Sequence, residues 1–207
     1  MTDLECNARV RSFRRKEVIY FPSTPGESVL IVLKGRVKLK DITPDGKESI
    51  LAFVEVGEVF GELALFDDDN RQNYAEAVLE TQIAAVPKEP MLEVMNRRAD
   101  LSLRITKLVG LRRKQAEARL RQLLFRTTRE RLVYVLLNLL SQHSEKNGTT
   151  TEITLPLSHQ DIAGLIGATR ESVTMALGEL QGEGLIRVKR QRLILYDIDR
   201  LRGCVTP

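Results

Sequence analysis

The chain of 207 residues is long enough for one large domain or two small ones, and its 43% hydrophobic content supports globular cores. It carries a net charge of +4 and has only two cysteines, Cys6 and Cys204, which argues against a disulfide framework, a cysteine-rich zinc site or an iron–sulfur cluster. No apolar run approaches the ~20 residues of a membrane span, and the first residues lack the apolar core of a signal peptide, so we expect a cytoplasmic protein with no membrane partner.

Charge is distributed unevenly along the chain. Residues 1–98 carry 14 Lys/Arg and 17 Asp/Glu, whereas residues 99–207 carry 18 Lys/Arg and 11 Asp/Glu. A basic half beside a mildly acidic half is typical of a polyanion-binding domain fused to a second domain. The alternative is that ordinary variation in surface charge produces the same difference between the halves.

Catalytic chemistry finds little support in the residues present. His143 and His159 are the only histidines, and neither stands in a metal-ligand pattern. The sequence contains no nucleophile–base set and no glycine-rich phosphate motif. We therefore expect neither an enzyme nor a cofactor.

Residues 10–88 are predicted to be β structure, because short apolar runs alternate with turn signals. Several short strands at this spacing indicate a sandwich or a small barrel. Pro44-Asp45-Gly46 is a good hairpin turn. The predicted strands are Val18–Phe21, Val29–Leu33, Val37–Leu39, Ser49–Phe53 and Ala75–Leu79.

From Pro87 onward the periodicity becomes helical. A short helix is predicted around Met91–Met95, followed by a long one from about Asp100 to Phe125. A long helix between two domains often dimerises as a coiled coil. The alternative is an amphipathic helix that packs on its own domain, since the charged stretch Arg112–Arg119 interrupts the apolar seam. A further helix is predicted over Arg129–Gln142, followed by a polar loop, Ser144–Glu152.

The segment Ser158–Leu180 predicts two short helices joined by a turn at Gly167. Ser158 can cap the first helix, with Asp161 as a weak capping-box partner, and Thr169 can cap the second. Apolar residues of the second helix recur at core-facing spacing. They are Val173, Ala176, Leu177 and Leu180.

The outer face of the second helix carries Arg170, Glu171, Thr174 and Met175. Helix-turn-helix proteins place the start of this helix in the major groove, where Arg pairs with guanine and Glu accepts from cytosine. The alternative is an ordinary helical hairpin with solvated charges. Two predicted strands, Leu185–Val188 and Arg192–Tyr196, flank a basic tip as in a winged helix, which favours DNA binding.

The order of these parts resembles the CRP/FNR superfamily of bacterial transcription regulators. The landmarks are Gly61–Phe66 (GELALF), Phe125–Arg131 and the helix-turn-helix. The resemblance implies an α+β fold with a β jelly-roll regulatory domain similar to cyclic-nucleotide-binding domains. It implies domain bounds of 1–98 for the β-roll, 99–126 for the dimerisation helix and 127–207 for the winged helix-turn-helix.

The resemblance also implies an effector pocket. In the family, a Gly-Glu pair and a later Arg bind the ribose and phosphate of a cyclic nucleotide, and Gly61, Glu62 and Arg71 match them. Leu63 adjoins this pair, and Gln72 replaces the family's small hydroxyl residue. Ala116 and Glu117 replace a Thr-Ser pair that meets the purine. We therefore expect a regulator that acts without cyclic AMP.

A carboxylate is expected to hold Arg71 in place of a ligand phosphate. The matching positions favour Glu117, while Glu62 and the acidic run Asp67–Asp69 are alternatives. Glu117 pairing across the dimer with Arg113 of the other chain is a further alternative. A cyclic-nucleotide-responsive regulator of the same fold remains the competing interpretation.

By the same resemblance, Arg170 and Glu171 read bases, and Met175 replaces a third reader. Three hydroxyl residues make secondary contacts, namely Thr169, Ser172 and Thr174. The phosphate backbone is held by Ser158, His159, Gln160, Lys189 and Arg190. The predicted partners are double-stranded DNA at a pseudo-palindromic promoter site, a second copy of the chain, and RNA polymerase through loops Thr43–Lys47 and Ser144–Glu152. The rival from another class is a ligand-binding module that regulates a protein partner.

Overall fold

A computed structural model describes residues 8–67, 70–147, 150–153, 157–189 and 192–205. The chain divides into two compact units, Met1–Lys114 and Gln115–Pro207. Within the described ranges, no helix combines the length and the apolar character that a membrane crossing needs.

The first unit is a β-roll of two antiparallel four-stranded sheets, with strand orders β1-β8-β3-β6 and β2-β7-β4-β5. Buried side chains from both sheets form its core, among them Phe13, Val32, Leu39, Phe60 and Ile83. The strands are β1 (Arg9–Phe13), β2 (Val18–Tyr20), β3 (Ser28–Lys34), β4 (Val37–Ile42), β5 (Glu48–Val54), β6 (Val59–Phe60), β7 (Tyr74–Ala77) and β8 (Thr81–Pro87).

All five predicted strands are present, and three further strands complete the roll. Strand β1 has four exposed residues of five, so its sequence lacks an apolar face. Strand β6 has only two residues. Strand β8 contains two alanines, which have low strand propensity, and it forms because β1 and β3 pair on either side of it. The predicted turn is confirmed: Gly46 has φ of +81°, and its N–H donates to the Thr43 carbonyl at 2.8 Å.

Two helices follow the roll, α1 (Lys88–Arg97) and α2 (Ala99–Phe125). Met91 and Ile105 are buried with Val29, Leu65 and Val86, so α1 and the start of α2 pack on the sheet that contains β3 and β8. The C-terminal part of α2 leaves large apolar side chains exposed. This confirms both predicted helices.

The second unit is a winged helix-turn-helix. Its core is formed by buried Leu132, Leu136, Ile162, Leu177 and Leu180. The elements are α3 (Thr128–His143), β9 (Ser144–Asn147), β10 (Thr150–Ile153), α4 (His159–Ile166), α5 (Arg170–Gly182), β11 (Ile186–Lys189), β12 (Arg192–Leu195) and α6 (Ile198–Gly203).

The expectation of a polar loop over Ser144–Glu152 is wrong. Strands β9 and β10 pair there, with Ile153 opposite Ser144, and β10 also pairs with β12. The sheet order is β11-β12-β10-β9. The sequence carries two signals that the prediction passed over: Asn147-Gly148, a typical hairpin dipeptide, and a run of β-branched threonines.

A quartet of charges, two buried lysines and two half-buried glutamates, lies on strands β4, β5 and β7. Lys40 Nζ lies 2.7 Å from a Glu48 carboxylate oxygen and 2.6 Å from one of Glu76. Lys38 Nζ lies 3.9 Å and 3.5 Å from the same two carboxylates. Burial alone would lower the pKa of Lys40, but hydrogen bonds to Glu48 and Glu76 raise it above its ordinary value of 10.5. The stabilisation is therefore present below pH 10.5 and is lost as the pH rises through the raised pKa.

Lys40→Met should destabilise the protein by about 1–3 kcal/mol, because two largely buried carboxylates lose a hydrogen-bond donor. The control is Lys47→Met, which removes an exposed lysine paired with Asp45 and should change stability little. Urea unfolding at neutral pH measures both variants. Equal midpoints for Lys40→Met and the native protein would contradict a stabilising quartet.

Candidate nucleic-acid interface and effector pocket

Helix α4 begins at a complete capping box. The Ser158 hydroxyl accepts from the Asp161 N–H at 3.1 Å, and the Asp161 carboxylate accepts from the Ser158 N–H at 3.0 Å. The helix ends at Gly167, whose φ of +62° is the left-handed conformation that glycine adopts without strain. Both predicted features are confirmed, and together they fix where the turn lies.

Helix α5 begins at Thr169, whose hydroxyl accepts from the Ser172 N–H at 3.2 Å. Its four predicted core residues, Val173 to Leu180, are buried. Packing of this face turns Arg170 and Glu171 outward, where both are exposed. Met175 beside them is 66% exposed. The start of the helix thus presents a cation, an anion and an apolar side chain to solvent.

His159 links the two helices, which the sequence did not predict. Its Nδ1 lies 2.9 Å from the Thr174 hydroxyl oxygen, and that hydroxyl donates to the Arg170 carbonyl at 2.9 Å. Because Thr174 has a single hydroxyl hydrogen, His159 is the donor in the first bond. The Thr174 hydroxyl therefore has two partners within the domain, and its oxygen keeps one lone pair that can accept a further hydrogen bond.

The other predicted DNA contacts lie in the same unit. Ser158 and Gln160 are exposed at the start of α4, and Ser172 is half-buried. Lys189 is exposed at the end of β11, where the Val188 N–H donates to the Gln181 side chain at 3.1 Å and ties the wing to α5. Arg190 lies outside the described residues.

The matched effector segment forms one turn of 3₁₀ helix, Glu62–Leu65, with Gly61 before it at φ of +68°. A side chain at Gly61 would place its Cβ 2.5 Å from an Arg71 nitrogen, so the close approach also requires glycine. Glu62 is buried, whereas Leu63 and Gln72 are exposed.

Arg71 is held by carbonyl oxygens and an aromatic ring of the β-roll. It donates to the Gly61 carbonyl at 2.8 Å and to the Ser28 carbonyl. Its guanidinium carbon lies 4.9 Å from the centre of the Tyr20 ring, a cation–π distance. Burial lowers the pKa of Arg71, opposed by the charges of Tyr20 and Glu62. Burial also raises the pKa of Tyr20 to about 12. A pairing of Arg71 with Glu117 stays a prediction.

Glu62 pairs with Arg112 of the long helix, a residue that sequence reasoning missed. Arg112 also donates to the Val59 carbonyl at 2.7 Å. The side-chain exposure is 5% for Glu62 and 25% for Arg112, so the pair is largely removed from water. Ala116 and Glu117 are exposed on α2 in the second unit, and their role in the pocket stays a prediction.

Comparison with known proteins identifies the family. The cyclic nucleotide-binding domain family matches residues 10–98, and the Crp-like helix-turn-helix domain family matches residues 130–204. A global nitrogen regulator from Synechococcus elongatus is 32% identical over 191 residues, which are 91% of this chain and 86% of that protein. The chain belongs to the CRP/FNR family of transcription regulators. It is thus a transcription regulator with a helix-turn-helix DNA-binding domain, and its homologues are not enzymes.

Two further relatives bear on this CRP/FNR protein. A CRP-like cAMP-activated global transcriptional regulator from Mycobacterium tuberculosis is 27% identical over 189 residues, covering 91% of this chain and 84% of that one. The structure of a CooA mutant from Carboxydothermus hydrogenoformans superposes with a TM-score of 0.86 at 23% identity, covering 99% of this chain and 91% of that one. The latter shows that the two chains share their fold.

Arg112→Met should destabilise the regulator by about 1–3 kcal/mol, since Glu62 and the Val59 carbonyl lose their donor. Glu62→Gln combined with Arg112→Met should recover part of this loss, because no unpaired charge is left buried. Arg104→Met, at an exposed position of the same helix, is the control. Urea unfolding of the full chain supplies the values, and a double variant no more stable than Arg112→Met would refute the pairing.

Proposed function

We propose that this regulator binds a pseudo-palindromic promoter site as a homodimer and needs no cyclic AMP to do so. The single observation that carries the DNA-reading role is the capped start of α5, where Arg170 and Glu171 are exposed while the opposite face is buried. Arg170 reads guanine and Glu171 reads cytosine. Thr169, Ser172 and Thr174 add secondary contacts.

Backbone contacts come from the start of α4 and from the wing. Ser158, His159 and Gln160 lie at a helix N-terminus, where N–H groups and the helix dipole favour a phosphate. Lys189 and Arg190 extend the contact along the DNA backbone from the wing. These contacts position the protein on DNA of any sequence, whereas Arg170 and Glu171 confer the preference for particular bases.

Dimerisation is assigned to the long helix α2, because its apolar side chains remain exposed in the single chain. The long helix of a second copy of the chain would bury these side chains in a symmetric interface. The paired recognition helices would then read half-sites about 34–36 Å apart, one turn of DNA. The exposed residues are Leu103, Leu111, Leu120, Leu124 and Phe125.

Independence of cyclic AMP is supported by the internal partners of the two ligand-binding side chains. Arg71 already donates to two carbonyl groups, and Glu62 already pairs with Arg112. A nucleotide would have to share both side chains with these internal partners. The competing function is a nucleotide-activated regulator, which the name of the Mycobacterium tuberculosis relative favours.

Contact with RNA polymerase is proposed through two segments, Thr43–Lys47 and Ser144–Glu152. Residues Thr43–Lys47 connect β4 and β5 and are exposed throughout. The segment Ser144–Glu152 contains β9 and most of β10. Connecting segments between strands are usually accessible to a partner and often carry function.

Arg170→Ala should weaken binding to the preferred operator by about 1–3 kcal/mol and relax the preference at one guanine. Lys189→Ala should lower the affinity for all DNA sequences alike and reduce the dependence of that affinity on salt concentration, because it removes a phosphate contact. Operators selected from random DNA, followed by titrations at several salt concentrations, distinguish the two effects. If both variants lower affinity uniformly, Arg170 does not read a base.

Calorimetry should detect no binding of cyclic AMP at micromolar concentrations, and the purified protein should bind its selected operator unaided. The matched variant is Arg112→Met, which frees Glu62 for a ribose hydroxyl. Heat of binding by the native protein, together with a nucleotide-dependent gain in operator affinity, would establish the competing function.

A further inference from the structure

The turn of the helix-turn-helix is joined to the end of the long helix by hydrogen bonds to backbone carbonyls. Helix α4 ends with carbonyl groups that have no partner inside the helix. The N–H groups of Gly167 and Ala168 both donate to the Ala163 carbonyl. The carbonyls of Gly164 and Ile166 therefore depend on other donors.

Two arginines supply those donors. Arg119, on the long helix, donates to the Gly164 carbonyl at 2.8 Å. Arg131, on α3, donates to the Ile166 carbonyl at 2.8 Å and reaches the Gly167 carbonyl at 3.4 Å. The C-terminal end of a helix carries a partial negative charge, so a cation there is favourable as well as a donor.

Leu123 brings the long helix against the turn itself. A Cβ built on Gly167 would lie 2.8 Å from a Leu123 methyl carbon, which is closer than real Cβ atoms approach. The positive φ of Gly167 favours glycine, and a side chain there would also force the end of the Leu123 side chain to shift. Arg119 and Leu123 connect the long helix to the end of α4 and the turn, and Arg131 connects α3 to the same place. These three residues are hereafter the turn joint.

We propose that the turn joint sets the spacing of half-sites that this regulator accepts, with Arg119, Leu123 and Arg131 as positioning residues that touch no DNA. Helix α5 begins three residues after Gly167, so whatever fixes the turn also fixes the direction of the recognition helix. This proposal rests on the proposed dimer: if the long helices pair, the joint transmits their geometry to both recognition helices.

The residues of the turn joint do not take part in base contacts. The caps at Ser158 and Thr169 and the buried face of α5 hold each recognition helix within its own domain. Loss of the joint should therefore leave half-site binding intact while each domain swings relative to the long helix. A dimer binds both half-sites tightly only when its two DNA-binding domains are held at the separation of those half-sites. If the domains are held loosely, the dimer also accepts half-sites at other separations, but its affinity for the best operator falls.

The test compares operators whose central spacer is native, or longer by one or two base pairs, with an isolated half-site. The variant is Arg119→Met with Arg131→Met, and Leu123→Ala is a milder second variant, since Leu123 is already 42% exposed. The matched control is Arg200→Met, which removes a charge from an exposed position of the same unit. Sedimentation of each complex counts the chains bound.

The native protein and the control should lose about tenfold or more in affinity when the spacer changes, as expected when the second half-site is no longer reached. Both joint variants should bind all spacers within about threefold of one another and retain half-site affinity within about threefold of native, since base contacts are kept. Native-like spacing preference in the variants would overturn the proposal. Parallel loss of half-site binding would overturn it too, because the three residues would then only maintain the domain fold. Failure of the native protein to bind two half-sites as a dimer would refute the proposed function first.

Discussion

Hydrogen bonds from arginine side chains to backbone carbonyl groups are the interaction on which much of this molecule depends. A buried or half-buried carbonyl needs a donor, and the chain supplies arginines for that purpose at distant points. Arg71 donates to the carbonyls of Gly61 and Ser28 in the β-roll, and Arg112 donates to that of Val59. Arg119 and Arg131 donate to carbonyls at the end of α4. The planar guanidinium has five N–H donors in a fixed fork, which is why one side chain can join two segments.

The same interaction explains the state of the effector pocket. A buried arginine without partners is costly, and in the family scheme a ligand phosphate meets that need. Here the backbone and the face of Tyr20 meet it instead, and Tyr20 is itself oriented by a hydrogen bond to Asn73 at 3.2 Å. Arg71 therefore has internal partners in the β-roll, and an effector bound there would share its guanidinium with them.

Local features were predictable from the sequence, and features that depend on distant partners were not. Ser158, Thr169 and Gly167 act on residues within four positions, so their roles followed from sequence alone. Strand β8 depends on pairing with strands elsewhere in the chain. The hairpin β9–β10 had local signals in its sequence, and only its pairing with β12 depends on a distant strand. The partners of Arg71 and Glu62 likewise come from segments that only the fold brings together. Residue types predicted the kind of site, while the fold decided which atoms meet.

The charged quartet of the β-roll constrains how this sheet can diverge. Lys38 and Lys40 each lie near both Glu48 and Glu76, so the two positive and two negative charges balance only as a set. Loss of one lysine leaves an excess carboxylate in a largely buried position, whereas loss of a lysine together with a glutamate keeps the balance. In related chains, we expect a lysine and a glutamate of this set to be replaced together, so that the charges stay balanced. The alternative is that apolar residues replace all four side chains.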